Sequence, residues 1–138
     1  MELPLILFHS TIAGLAAGTI ALLFAPLFAR AGALPPWRAR TLWIESTAIT
    51  VHALAGLALG LLFWLSWGLA AFVGVSWPQR GFCFGIVAWF ALCLPVLLLQ
   101  LLHTQIDRRF FIAHAVDAFV TCLMVGLACA WSWDAGRS

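Results

Sequence analysis

Apolar residues occupy the chain in four long runs, with polar residues gathered in short breaks between them. The runs are Leu3 to Ala29, Thr41 to about Ser66, Gly81 to Leu102 and Phe110 to Trp133. A helix that crosses the hydrocarbon core of a bilayer needs about 20 mainly apolar residues, so each run predicts one transmembrane helix. The break Arg30 to Arg40 (RAGALPPWRAR) holds a glycine, two prolines and three arginines, none of which suits lipid. VSWPQR, from Val75 to Arg80, is a shorter break, and HTQIDRR, from His103 to Arg109, is a tight polar turn. Residues 67–74 suit either an extension of helix two or an interfacial segment. The pattern predicts an all-α fold: an integral membrane four-helix bundle, antiparallel and up-down-up-down, forming a single transmembrane domain over residues 1–138.

Composition agrees and fixes the class. Hydrophobic residues make up 64% of the chain and charged residues 9%, with mean hydropathy +1.07, whereas soluble domains carry roughly 25% charged residues. The net charge of +2 is too small and too dispersed to imply a nucleic-acid partner. Every basic residue is arginine, a usage that fits a GC-rich bacterial genome and hence a bacterial inner membrane. The first run has Glu2 where a signal peptide is cationic, and it exceeds the roughly 7 to 15 residues of a signal core. It reads as a retained span.

Orientation follows from the arginines in short loops, which favour the cytoplasmic side. Arg30, Arg38, Arg40, Arg108 and Arg109 lie in loops one and three, and only Arg80 and Arg137 lie opposite. Both termini are therefore expected outside, periplasmic in a Gram-negative cell. Trp64, Trp67, Trp77, Trp131 and Trp133 would then mark the outer interface and Trp37 and Trp43 the inner one. Pro26 and Pro95, Arg40 and Arg109, and Trp64 and Trp133 are each 69 residues apart, as two duplicated hairpins would place them, although few other positions match at that offset.

Lipid tails are as apolar as leucine, so helices in a bilayer associate through small residues and interhelical hydrogen bonds. Gly14 and Gly18, Gly56 and Gly60, and Gly81 and Gly85 are small-xxx-small pairs suited to helix packing. On helix two, Glu45, His52, Gly56 and Gly60 follow at spacings of seven, four and four, which puts them on one stripe. A face made of small residues turns toward another helix, and the acid and the imidazole turn with it. Helix four repeats the arrangement with His114, Asp117 and Thr121. Pro95 should kink helix three near mid-membrane.

At about 1.5 Å per residue from the inner helix ends, Glu45 and His114 lie about 6 Å deep, Asp117 about 10 Å and His52 about 16 Å. The expected cluster is thus Glu45, His52, His114 and Asp117, with Gln100, His103, Arg108 and Arg109 at its cytoplasmic edge. An ionisable residue at a helix centre costs about 2.5 to 3.5 kcal/mol on insertion scales, so such a cluster is a candidate for structural pairing, proton relay or ligation. No cofactor is expected. A di-iron bundle needs four carboxylates and two Glu-x-x-His units, but the chain has a single reversed His114-x-x-Asp117. A bis-histidine haem needs a second histidine at the depth of His52, and His9, His103 and His114 all lie elsewhere. A haem, or a divalent ion on the carboxylates and imidazoles, is kept as the alternative chemistry. His9 reads as a satisfied polar residue.

Cys83 and Cys129 match in depth near the outer surface, as do Cys93 and Cys122 near mid-membrane. Small packing residues explain all four, and a bridge between the outer two is the alternative in an oxidising periplasm. There is no glycine-rich phosphate loop, G-x-S-x-G elbow or H-E-x-x-H. Small multidrug exporters have four spans in a similar length, but their functional glutamate sits in the first helix, where this chain has only His9, serine and threonines. The run GFCFGIVAWF, followed by an acidic residue in the last span, looks like stretches of several small bacterial membrane proteins and carries no activity across. The expectation is a non-enzymatic accessory or assembly subunit in the lipid bilayer, joined to other membrane subunits or to its own copies. The alternative is a proton-coupled transporter or relay.

Overall fold

A computed structural model describes residues 3–30, 42–66, 74–103 and 108–136. These form α1 (Leu3–Arg30), α2 (Leu42–Leu65), α3 (Trp77–Ala88), a π-helical turn (Trp89–Cys93), α4 (Leu94–His103) and α5 (Arg108–Ala135). Because α3, the π-turn and α4 run on as one span, the described residues contain four helices long and apolar enough to cross a membrane. This is the architecture of an all-helical multi-pass membrane protein, and no strand occurs among the described residues. Residues 67–73, whose place the sequence left open, and Trp37 lie outside them.

The third span begins at Trp77 instead of Gly81. Pro78 signals a break when read in isolation, yet in a first helical turn its missing N–H has no partner to lose. Gln79 Oε1 accepts from the Ser76 N–H at 3.3 Å and from its hydroxyl at 3.0 Å, and the Arg80 N–H closes the turn on the Ser76 carbonyl at 3.1 Å. Arg80, a loop cation by sequence, is therefore helical and only 8% exposed.

Pro95 acts through the turn that precedes it. It offers no N–H to the carbonyl of Ala91, and its ring crowds that carbonyl. Just before it the backbone is widened: the Leu94 N–H reaches back five residues to the Trp89 carbonyl. Such π-turns re-aim side chains and recur at functional sites. Beyond this turn, none of the residues Leu94–His103 is buried.

Packing is built on glycine. A Cβ on Gly14 would stand 2.5 Å from the His52 carbonyl oxygen, one on Gly56 would stand 2.5 Å from the Ser10 carbonyl oxygen, and Gly60 faces the Ser10 side chain. Between α3 and α5, a Cβ on Gly81 would stand 2.7 Å from the Leu127 Cα and one on Gly85 2.9 Å from the Cys122 carbonyl oxygen. All the glycines expected at helix contacts are there, and Gly126, packed on the Gly81 carbonyl, joins them. Helix α5 is central: α1 and α3 pack along it, α2 meets it over a shorter stretch, and α4 barely touches it. The apolar core, with Ile6, Phe63, Phe84, Val125 and Cys129 buried, fills the end of the molecule away from α4. Phe63 meets Phe84 edge-on at 5.0 Å and Trp133 at 6.1 Å. Trp64, Trp77 and Trp131 are exposed, whereas Trp133 packs partly buried against this core.

Candidate functional site

The geometry of His52 is set by two helices before Asp117 is considered. Its ring occupies the space left by the absent side chain of Gly18, where a Cβ would come within 3.0 Å of His52 Cβ and Cγ. Nδ1 lies 2.8 Å from the Ala48 carbonyl oxygen one turn back. A carbonyl only accepts, so Nδ1 carries a hydrogen and donates it. Nε2 is thereby left facing α5, where Asp117 presents both carboxylate oxygens at 3.1 and 3.3 Å. One hydrogen must sit in that contact, giving either imidazolium beside carboxylate or neutral imidazole accepting from the carboxylic acid. Both forms are neutral overall, and they differ only in where one proton resides.

The pair is not sealed. Its side chains are 16% and 26% exposed, and it lines a partly open cleft of about 200 Å³ together with Val51, Cys93, Thr121 and Cys122. The Thr121 hydroxyl donates to the Asp117 carbonyl oxygen at 2.9 Å. The opposite wall comes from the π-turn, held on α5 by the Trp89 indole N–H, which donates to the Ala115 carbonyl oxygen at 3.1 Å. The same ring meets Phe119 edge-on at 5.3 Å. This anchoring places the Cys93 sulfur 3.7 Å from that of Cys122.

Of the expected cluster, the structure therefore brings His52 and Asp117 together. Counting from the observed ends explains why the expected depths differed: α2 starts at Leu42 and α5 at Arg108, so the two residues stand ten and nine positions in and level with each other. His114 is exposed and is not part of the cleft lining. Gln100, His103, Arg108 and Arg109 are exposed at the ends of α4 and α5. Glu45 and Trp43 belong to α2, but their side chains lie outside the described residues. His9 is satisfied as expected: Nδ1 donates to the Leu5 carbonyl oxygen at 2.9 Å, and the ring packs edge-on to Trp131 at 5.0 Å.

All four cysteines are free. Cys129 is fully buried in the core and is not bridged to Cys83. Nearby, the buried Ser132 hydroxyl has no hydrogen-bond partner among the described residues. No group of three or more His, Cys, Asp and Glu side chains that could hold a metal ion comes together among the described residues. Paired glycines alone do not reveal the contact surface of α5. Cys122, Gly126 and Ala130, at spacings of four, form one small-residue stripe that could have marked it. No protein-family model, curated protein or solved structure matches the chain.

Proposed function

We propose that this protein is a four-span bacterial inner-membrane protein that binds and passes protons through the His52–Asp117 pair. The observation that carries the reading is the 3.1 Å contact of His52 Nε2 with the Asp117 carboxylate near the middle of both spans, on the wall of a partly open cleft. Energetics favour it over simple adhesion. An aspartate near a helix centre costs about 2.5 to 3.5 kcal/mol on insertion scales, while an interhelical hydrogen bond in a membrane returns about 0.6 to 2 kcal/mol. Adhesion alone does not offset the cost, whereas a group that must gain and lose a proton has to be ionisable.

An antiparallel up-down-up-down bundle is part of this proposal. Its support is the order of contacts: Ser10, Gly14 and Gly18 meet Gly60, Gly56 and His52, while Gly81 and Gly85 meet Leu127 and Cys122. The accessory-subunit reading has one observation in its favour, the short contact between α2 and α5, which His52 and Asp117 bridge. In that case the pair serves as an interhelical tie.

Proton flux into proteoliposomes under an imposed potential separates the two. The intact protein should carry a flux that Asp117→Asn abolishes while the bundle stays folded. Equal flux in the variant, or none in the intact protein, returns the pair to a structural role.

A further inference from the structure

The cleft joins two kinds of chemistry: a pair that exchanges a proton and two thiols in van der Waals contact. Cys93 is half-buried and lines the opening, whereas Cys122 is 2% exposed behind it. Their sulfurs are 3.7 Å apart, so closing to the roughly 2.05 Å of a disulfide needs only side-chain rotation and a small helix adjustment. The π-turn is what aims Cys93 here, and a widened turn tolerates such an adjustment.

Oxidising two thiols releases two electrons and two protons. At mid-span there is no bulk water to take the protons, and the oxidant must itself dissolve in lipid. The cleft of about 200 Å³ has mainly apolar walls, and since an apolar cavity of about 150 Å³ accommodates benzene, it has room for one six-membered ring, with substituents reaching out through its open side.

We propose that Cys93 and Cys122 form a dithiol site that reduces a membrane quinone. The Cys93 thiol gives its proton to the Asp117–His52 pair, and the thiolate adds to a ring carbon. An S–C bond forms, and a carbonyl oxygen becomes a hydroxyl by taking the proton from the pair. Cys122, losing its proton by the same route, attacks the Cys93 sulfur. The S–S bond forms as the S–C bond breaks, the electron pair returns to the ring, and the second oxygen takes the second proton. Two thiols and a quinone thus become a disulfide and a quinol. The Cys93 sulfur attacks because it is the accessible one. The assignment of proton acceptor rests on the proton-exchange reading above, while the dithiol chemistry stands on its own geometry.

The test uses reduced full-length protein in nanodiscs, given decylubiquinone under anaerobic conditions. Quinol is read by ultraviolet absorbance, and free thiols by alkylation after unfolding in sodium dodecyl sulfate, followed by mass spectrometry. One quinol should form per protein, with Cys93 and Cys122 lost to alkylation together and Cys83 and Cys129 still available. Cys93→Ser and Cys122→Ser should each abolish quinol formation, and Asp117→Asn should slow it about a hundredfold, as loss of a general base does. Diamide treatment of Asp117→Asn should still close the disulfide, which shows that the fold is retained. No quinol from the intact protein, or equal quinol from either serine variant, overturns the dithiol site whatever the proton flux. Quinol formation at full rate in Asp117→Asn overturns the pair as proton acceptor and leaves the dithiol site in place.

Discussion

Both ring nitrogens of His52 are committed, one to its own helix and one to α5, and this limits what can stand in its place. Glutamine offers one amide group and cannot reach the Ala48 carbonyl and Asp117 together. A double-mutant cycle with His52→Gln and Asp117→Asn, read by unfolding in mixed detergent micelles, should give a coupling of about 0.6 to 2 kcal/mol. Zero coupling would mean that the contact does not persist in the membrane. Trp89→Phe removes one hydrogen bond and keeps the ring packing on Phe119, so it should cost about 0.5 to 1.5 kcal/mol by the same assay. Much of this residue pattern was legible beforehand, because His52, Gly56 and Gly60 share a stripe by spacing alone. The partner of His52 was not, because helix ends shift by one or two residues and each residue moves a side chain by about 1.5 Å along the axis. A one-residue shift in the start of α2 and a two-residue shift in that of α5 add up to three positions, enough to separate His52 from Asp117 on paper.

Among the elements, the third span depends most on a single residue. If Pro95 is the reason the backbone widens, Pro95→Ala should let residues 89–93 return to α-helical bonding and rotate the side chains beyond by up to about 100°. Cys93 would then turn away from Cys122, and diamide should no longer join them, although Cys93 and Cys122 themselves are unchanged. Disulfide formation as efficient as in the parent chain would show that the turn is held by packing on α5 instead. The tight contacts between α1 and α2 make an opposite kind of demand. Gly14→Ala gains helix propensity of up to about 1 kcal/mol, but the new methyl meets the His52 carbonyl. Overpacking of a close contact costs about 1 to 3 kcal/mol. The net effect should be destabilising and should also displace His52, so the micelle unfolding assay and the proton-flux assay should fall together. Sequence could name these glycines because small residues four apart leave a recognisable mark. It pointed to a kink at Pro95 but could not tell that a π-turn would precede it, since the turn is anchored on α5 through Trp89 and Ala115, 26 residues apart in sequence.

For the whole molecule, the cleft has direction only if the chain has a fixed orientation in the membrane. The arginine distribution predicts one: five around Arg30 to Arg40 and Arg108 to Arg109 against Arg80 and Arg137 on the other side. The burial of Arg80 in the first turn of α3 weakens the smaller count further, since a cation packed within the bundle is no longer a free loop charge. An alkaline phosphatase fusion at the C-terminus should accordingly be active and a green fluorescent protein fusion there dark, with the reverse for reporters placed after Arg40. Replacing Arg38 and Arg40 by glutamine reduces the difference from three charges to one, and a mixed population should result. The depth of His52 and Asp117 then acquires a meaning. Each stands about 14 to 15 Å from the start of its helix, which on the proposed orientation is the cytoplasmic end and about half of a 30 Å hydrocarbon core. A proton held there is as far from one aqueous phase as from the other, and it needs a cleft or a carrier to leave. If the C-terminal phosphatase is inactive, the pair keeps its depth but the flux should reverse its sidedness, and measuring flux in oriented vesicles decides between the two.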